Sequence, residues 1–91
     1  MTWILHLMFA ELRLPDFDLP GVLVMASAWH ASVGQRVVEG DRLIEVVAGD
    51  VAVDLSAPAS GVLVQQCIKT DDRLEVGQVL ARIRIEQLPA A

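Results

Sequence analysis

The chain has 91 residues, enough for one domain with one core that buries roughly 60–65% of the surface its unfolded form would expose. That core is aliphatic, because 54% of the residues are hydrophobic while only two Trp and two Phe are present and Tyr is absent. Seven basic against twelve acidic residues give a net charge of −5, which disfavours nucleic acid and an anionic membrane surface as partners.

Residues 1–10, MTWILHLMFA, are apolar. They lack a basic n-region and are far shorter than the roughly 20 apolar residues of a membrane-spanning helix, so neither a signal peptide nor a span is expected. Three readings stand: an added edge strand, a docking arm for another subunit, or residues preceding the natural start. An unpaired apolar strand invites association, so the first two readings imply a cover. A second copy of the chain would supply one, making a homodimer through this extension. Trp3 is the candidate anchor there, since Trp is over-represented among energetically dominant interface residues.

Beyond the extension the pattern is that of strands. Residues 42–58 read RLIEVVAGDVAVDLSAP, two apolar-alternating runs joined by Ala48-Gly49-Asp50, and Gly and Asp tolerate the positive φ of a tight hairpin. Val51, Val53 and Leu55 alternate with Ala52, Asp54 and Ser56. Val79, Ala81, Ile83 and Ile85 alternate with Leu80, Arg82 and Arg84, again predicting one buried face. Six glycines punctuate these runs, and Pro15, Pro20 and Pro58 stand at their ends. No helix competes, and the fold class is all-β.

The chain also repeats itself. Gly-Val-Leu-Val occurs at residues 21–24 and again at 61–64. Arg36-Val37, Gly40, Leu43 and Val46 recur at a constant offset of 37 as Arg73-Leu74, Gly77, Leu80 and Ile83. Two similar halves follow.

Trp29, Val33-Gly34, Glu39-Gly40-Asp41, the hairpin, and Ala57-Pro58-Ala59-Ser60-Gly61-Val62-Leu63 together resemble the biotinyl/lipoyl carrier domain family, from about Glu11 to Ile85. The resemblance implies a flattened β-barrel or sandwich of two antiparallel sheets with pseudo-two-fold symmetry. It divides the chain into an extension (1–10), the domain (11–86) and a tail (87–91). In the family a lysine at the hairpin tip forms an amide with lipoic acid or biotin. Aligning Glu45-Val46 and Ala57-Pro58 with the family pattern puts Asp50 at that position, and a carboxylate cannot attack a ligase's acyl adenylate. No covalent cofactor is therefore expected at the tip. Gly-Asp is also simply good turn chemistry. Lys69, the one lysine of the chain, precedes the polar turn Thr70-Asp71-Asp72, and the offset pairs it with Ser32 rather than with the tip.

The expected function is that of a non-catalytic accessory or protein-interaction module in an acyl-transfer, 2-oxo acid dehydrogenase or carboxylase-type complex. The alternative is a carrier whose cofactor is attached elsewhere or held without a covalent bond. Partners implied by the resemblance are 2-oxo acid dehydrogenase, acyltransferase or ligase, or biotin-dependent carboxylase components. The contact surface would be Ala48, Gly49, Asp50 and Val51 with the neighbouring loop Phe17, Asp18, Leu19, Pro20 and Gly21. A structural module of the membrane-fusion adaptor kind is disfavoured, because such modules carry a long helical hairpin between their halves and none interrupts residues 51–61.

Catalytic machinery is not expected. His6, His30 and Cys67 lack the close pairing of zinc ligands, no Gly-x-Ser-x-Gly elbow occurs, and no glycine-rich phosphate loop is present. Glu39-Gly40-Asp41 and Asp71-Asp72 read as solvated turns rather than calcium loops. Cys67, a single cysteine in a β run, is expected to be a small buried apolar residue, and a cytoplasmic location fits one free thiol.

Overall fold

The computed structural model describes residues 6–87. Eight strands account for its regular structure: β1 His6–Arg13, β2 Val24–Trp29, β3 Arg36–Val37, β4 Arg42–Ala48, β5 Val51–Ser56, β6 Gly61–Gln66, β7 Arg73–Leu74 and β8 Val79–Gln87. They form two four-stranded sheets, β1-β8-β6-β3 and β5-β4-β2-β7, with every pairing antiparallel. The all-β expectation holds, and so does the sandwich of two sheets. Leu43, Ile44, Val46, Leu63, Leu80 and Ile83 form the innermost part of the core between them.

Exchanging β1 with β5, β8 with β4, β6 with β2 and β3 with β7 converts one sheet order into the other. The exchange reaches single hydrogen bonds. His30 N donates to Leu43 O, and Cys67 N to Leu80 O, each at 2.8 Å. In the turns, Ser32 N donates to the Gln35 side chain at 3.1 Å and Lys69 N to the Asp72 carboxylate at 2.8 Å. Lys69 and Ser32 thus occupy equivalent places, as the offset of 37 predicts. The Gly-Val-Leu-Val match does not belong to this symmetry, because it is spaced by 40. Val24, which opens β2, corresponds to Gly61, which opens β6, while Gly21 lies in the preceding turn.

Four β-bulges complete the correspondence. In β2, Ala26 faces Val46 and Ala28 faces Glu45, leaving Ser27 extra. Val64 is the extra residue of β6 in the same way, and Leu43 and Leu80 are skipped in the pairings of β4 with β5 and of β8 with β1. An extra residue breaks strict alternation and sharpens the local twist. Leu80 is consequently fully buried beside Ala81, whereas alternation placed it on the polar face with Arg82 and Arg84. Leu43 and Ile44 are buried side by side for the same reason.

Cys67 is exposed, contrary to the expectation of a buried thiol. It follows the last residue of β6, and the inward position beyond the strand is filled by Ile68. At the amino end, the described part of the apolar extension belongs to β1, in continuous register with β8 from His6 opposite Gln87 to Ala10 opposite Ile83. Because β1 is the outer strand of its sheet, Met8 and Phe9 remain exposed.

Candidate functional site

Ala48 pairs directly with Val51, so the β4–β5 connection is the two-residue turn Gly49-Asp50. Gly49 has φ +60 while Asp50 keeps a negative φ, the pattern of a type II′ hairpin, which needs glycine first and tolerates most residues second. Asp50 is exposed at the tip.

A loop lies against this turn. Leu19-Pro20-Gly21-Val22 closes a β-turn in which Val22 N donates to Leu19 O at 3.2 Å, with Gly21 at φ +78, as a type II turn requires. Just before it, Asp18 N donates to the Asp16 carboxylate at 2.7 Å. The loop is tied to the hairpin where Gly49 N donates to Leu23 O at 3.0 Å. A methyl group at Gly49 would stand 3.3 Å from Val22 Cγ1. Phe17 is half-buried and packs on the core, which anchors the loop.

The structure thus brings together Phe17, Asp18, Leu19, Pro20 and Gly21 with Gly49, Asp50 and Val51. Ala48 shares the hairpin, with its side chain buried. Trp3 lies outside the described residues. Sequence reasoning missed the apolar character of the surface: Leu19, Val22, Leu23, Val51 and Val76 are all large exposed hydrophobic residues. An open depression of about 400 Å³ runs between the loop and Leu74-Glu75-Val76, and a smaller one of about 50 Å³ reaches toward Phe17 and Ala48. Val76 comes from the turn after β7, 25 or more positions away from the other four in sequence, so only the pseudo-symmetric folding of the second half could reveal it.

On the outer face of the same sheet the fold assembles a group that the spacing of His6, His30 and Cys67 gave no reason to expect. His30, Glu45 and Asp54 place their ligand atoms within 4.8 Å of one another. His30 Nε2 is 2.8 Å from Asp54 Oδ1, and Arg42 Nη1 is 3.4 Å from Asp54 Oδ2. Ser27 Oγ donates to Glu45 Oε1 at 3.0 Å. The hydrogen bond to His30 holds the Asp54 carboxyl below its ordinary value of 3.8, with desolvation opposing and Arg42 adding to the effect. The usable signal was the hairpin itself, since Glu45 and Asp54 are direct cross-strand partners.

An antiparallel two-sheet domain with internal two-fold symmetry, presenting one tight turn beside a short apolar loop, is the class of protein that these features define. The chain belongs to the biotinyl/lipoyl domain family: the family described as "Biotin-requiring enzyme" matches residues 10–83. It is similar to the dihydrolipoyllysine-residue acetyltransferase component of the acetoin cleaving system of Pseudomonas putida, with 33% identity over 70 residues, 77% of this chain and 19% of that protein. It is also similar to the dihydrolipoyllysine-residue acetyltransferase component of the pyruvate dehydrogenase complex of Acholeplasma laidlawii, with 33% identity over 55 residues, 60% of this chain and 10% of that protein. The chain therefore spans a fifth or less of the length of these relatives. No helix among the described residues is long and apolar enough to cross a membrane.

Proposed function

We propose that this protein is a non-catalytic accessory module that docks on components of an acyl-transfer, 2-oxo acid dehydrogenase or carboxylase-type complex, using a biotinyl/lipoyl fold without a modifiable lysine. The observation that carries the reading is the tip of the hairpin, where a two-residue turn presents Asp50. Asp50 stands where the family's attachment lysine would be, and its carboxylate has no nucleophilic nitrogen for amide formation. Lys69 offers no substitute, because it lies in a turn of the second half equivalent to Ser32.

The surroundings of the tip favour contact with another protein. Exposed Leu19, Val22, Leu23, Val51 and Val76 supply apolar area, of the kind that marks interaction sites when it is clustered. Asp16, Asp18 and Glu75 line the adjoining depression, so a matching partner face is apolar at its centre with basic residues at its rim. The relatives named above are acetyltransferase components of an acetoin cleaving system and of a pyruvate dehydrogenase complex, which supports a partner from such an assembly.

Co-purification at native expression level, with mass spectrometry of the intact chain and its companions, tests the reading. An unmodified chain accompanied by a dehydrogenase, acyltransferase or carboxylase subunit is the expected result. A covalent increment of lipoyl or biotinyl mass overturns it in favour of a carrier loaded elsewhere.

A further inference from the structure

The pseudo-two-fold symmetry supplies an internal control for the His30, Glu45 and Asp54 group. Under the exchange of halves, the offset of 37 carries His30 to Cys67 and Glu45 to Arg82. Asp54, the partner of Glu45 on β5, corresponds to Glu11, the partner of Arg82 on β1. At the second location one carboxylate stands between two guanidiniums: Arg82 Nη2 lies 3.1 Å from Glu11 Oε2, and Arg13 Nη2 lies 2.8 Å from Glu11 Oε1. At the first location two carboxylates, Glu45 and Asp54, stand directly opposite one another. Like charges in that relation destabilise a sheet.

We propose that His30, Glu45 and Asp54 form a binding site for a divalent first-row transition-metal ion, with Zn²⁺ the best match. An imidazole nitrogen with two carboxylates is a donor set that suits Zn²⁺ and its neighbours, whereas Ca²⁺ and Mg²⁺ take oxygen ligands. Three protein ligands on Zn²⁺ leave a fourth position for water. Bond lengths of about 2.1 Å put tetrahedral ligand atoms about 3.4 Å apart, so atoms already within 4.8 Å need side-chain adjustments of about an ångström. Binding takes the neutral imidazole with its proton on Nδ1, any second proton going to solvent, and seats the ion between His30 Nε2 and Asp54 Oδ1.

Outer partners are already in place. Ser27, the bulged residue of β2, holds Glu45 Oε1. Arg42 sits at the far oxygen of Asp54, leaving Oδ1 turned to His30. Such contacts orient metal-binding carboxylates. Glu45 and Asp54 stand on paired strands, and His30, directly after β2, is tied to the same sheet by the hydrogen bond from its N to Leu43 O, so the ligands sit on a braced framework. A bound ion would clip β2, β4 and β5 together four residues from either side of the Gly49-Asp50 turn, and it would stabilise the folded chain because the unfolded chain holds no such arrangement.

The test uses the whole chain, stripped with a chelator and then titrated with Zn²⁺ against a chromophoric competitor. One ion per chain with Kd below about 10 µM is expected, together with a Zn²⁺-dependent rise in melting temperature. His30→Ala and Glu45→Gln should weaken binding at least about tenfold, and Ser27→Ala by about tenfold through loss of its orienting contact. His6→Ala and Cys67→Ser should leave it unchanged. Glu45→Arg, which reproduces the pairing seen at Arg82, should abolish the response while raising the melting temperature of the metal-free protein. Lack of saturable binding by about 1 mM Zn²⁺, or binding that survives His30→Ala, overturns the assignment.

Discussion

Substituting Gly61 by Ala isolates how closely β6 and β8 approach. A Cβ built on Gly61 would lie 2.2 Å from the carbonyl oxygen of Arg84, 3.0 Å from its carbonyl carbon and 3.0 Å from Ile83 Cγ2. A carbon normally stands about 3.3 Å or more from a carbonyl oxygen, so the two backbones must separate by about 1 Å. The obstacle is backbone, which no rotamer change relieves. Overpacking of this kind costs about 1–3 kcal/mol, and weakening one or two ladder hydrogen bonds adds about 1 kcal/mol each. Alanine returns about 0.5 kcal/mol by restricting the unfolded chain. The expected loss is about 3 kcal/mol, or a fall in melting temperature of about 12–24 °C for a domain of this size. Gly49→Ala is the comparison, because its nearest obstacle is a side-chain methyl at 3.3 Å that need give only a few tenths of an ångström, and its main cost is the left-handed backbone, about 1–2 kcal/mol. Urea unfolding followed by circular dichroism reads both. A loss below about 1 kcal/mol for Gly61→Ala would refute the argument.

Asp50→Lys is exposed and leaves the glycine of the turn intact, so stability should change by less than about 0.5 kcal/mol, and incubation with a lipoyl or biotin ligase should add the cofactor's mass; refusal by several ligases would show that the surrounding surface has diverged as well. Asp54 has a folded pKa held below its ordinary value, so its contribution to stability is present above pH 3.8 and is lost as pH falls through the depressed folded value. In Asp54→Asn the urea midpoint should therefore fall less steeply than in the parent as pH is lowered from 5 through that window. Leu43 and Leu80 are equivalent and fully buried; truncating either to Ala should cost about 2–5 kcal/mol, and the two values should agree within about 1 kcal/mol. Exposed Cys67 should react stoichiometrically with a thiol reagent in native buffer, and a requirement for denaturant would contradict its placement.

Much of this fold is legible in the sequence because hairpin chemistry is local. Ala48-Gly49-Asp50 between two alternating runs specifies the turn, and the offset of 37 from Arg36 to Arg73 anticipates the exchange of halves. The bulges are not legible, since an extra residue in a ladder is defined only against its partner strand. Strict alternation therefore puts Leu80 on the wrong face, and Gly-Val-Leu-Val suggests a repeat whose spacing the strands do not follow. The Leu19, Val22 and Val76 surface and the His30, Glu45 and Asp54 group share one difficulty: each joins residues from separate turns or strands whose proximity depends on sheet order. A search by sequence spacing looks for neighbours along the chain, whereas here the relevant spacing is across it.

The symmetry also bears on what the hairpin tip is for. The place equivalent to this turn in the other half lies between β8 and β1, where the described strands pair as far as His6 opposite Gln87. At the closed end the connection is as short as a hairpin allows, and it is braced by the hydrogen bond from Gly49 to Leu23. A short turn needed only to reverse the chain has no use for a flanking loop held by a type II turn, an aspartate bond and a half-buried phenylalanine. Nor does it need five large exposed hydrophobic residues around it, which carry a standing cost in hydration and an association hazard. Rigid presentation of an apolar surface is what a docking face requires, because ordering it on contact then costs little conformational entropy. On the proposed reading, an aspartate at the tip leaves that face intact, so recognition by a partner does not depend on a modifiable side chain there.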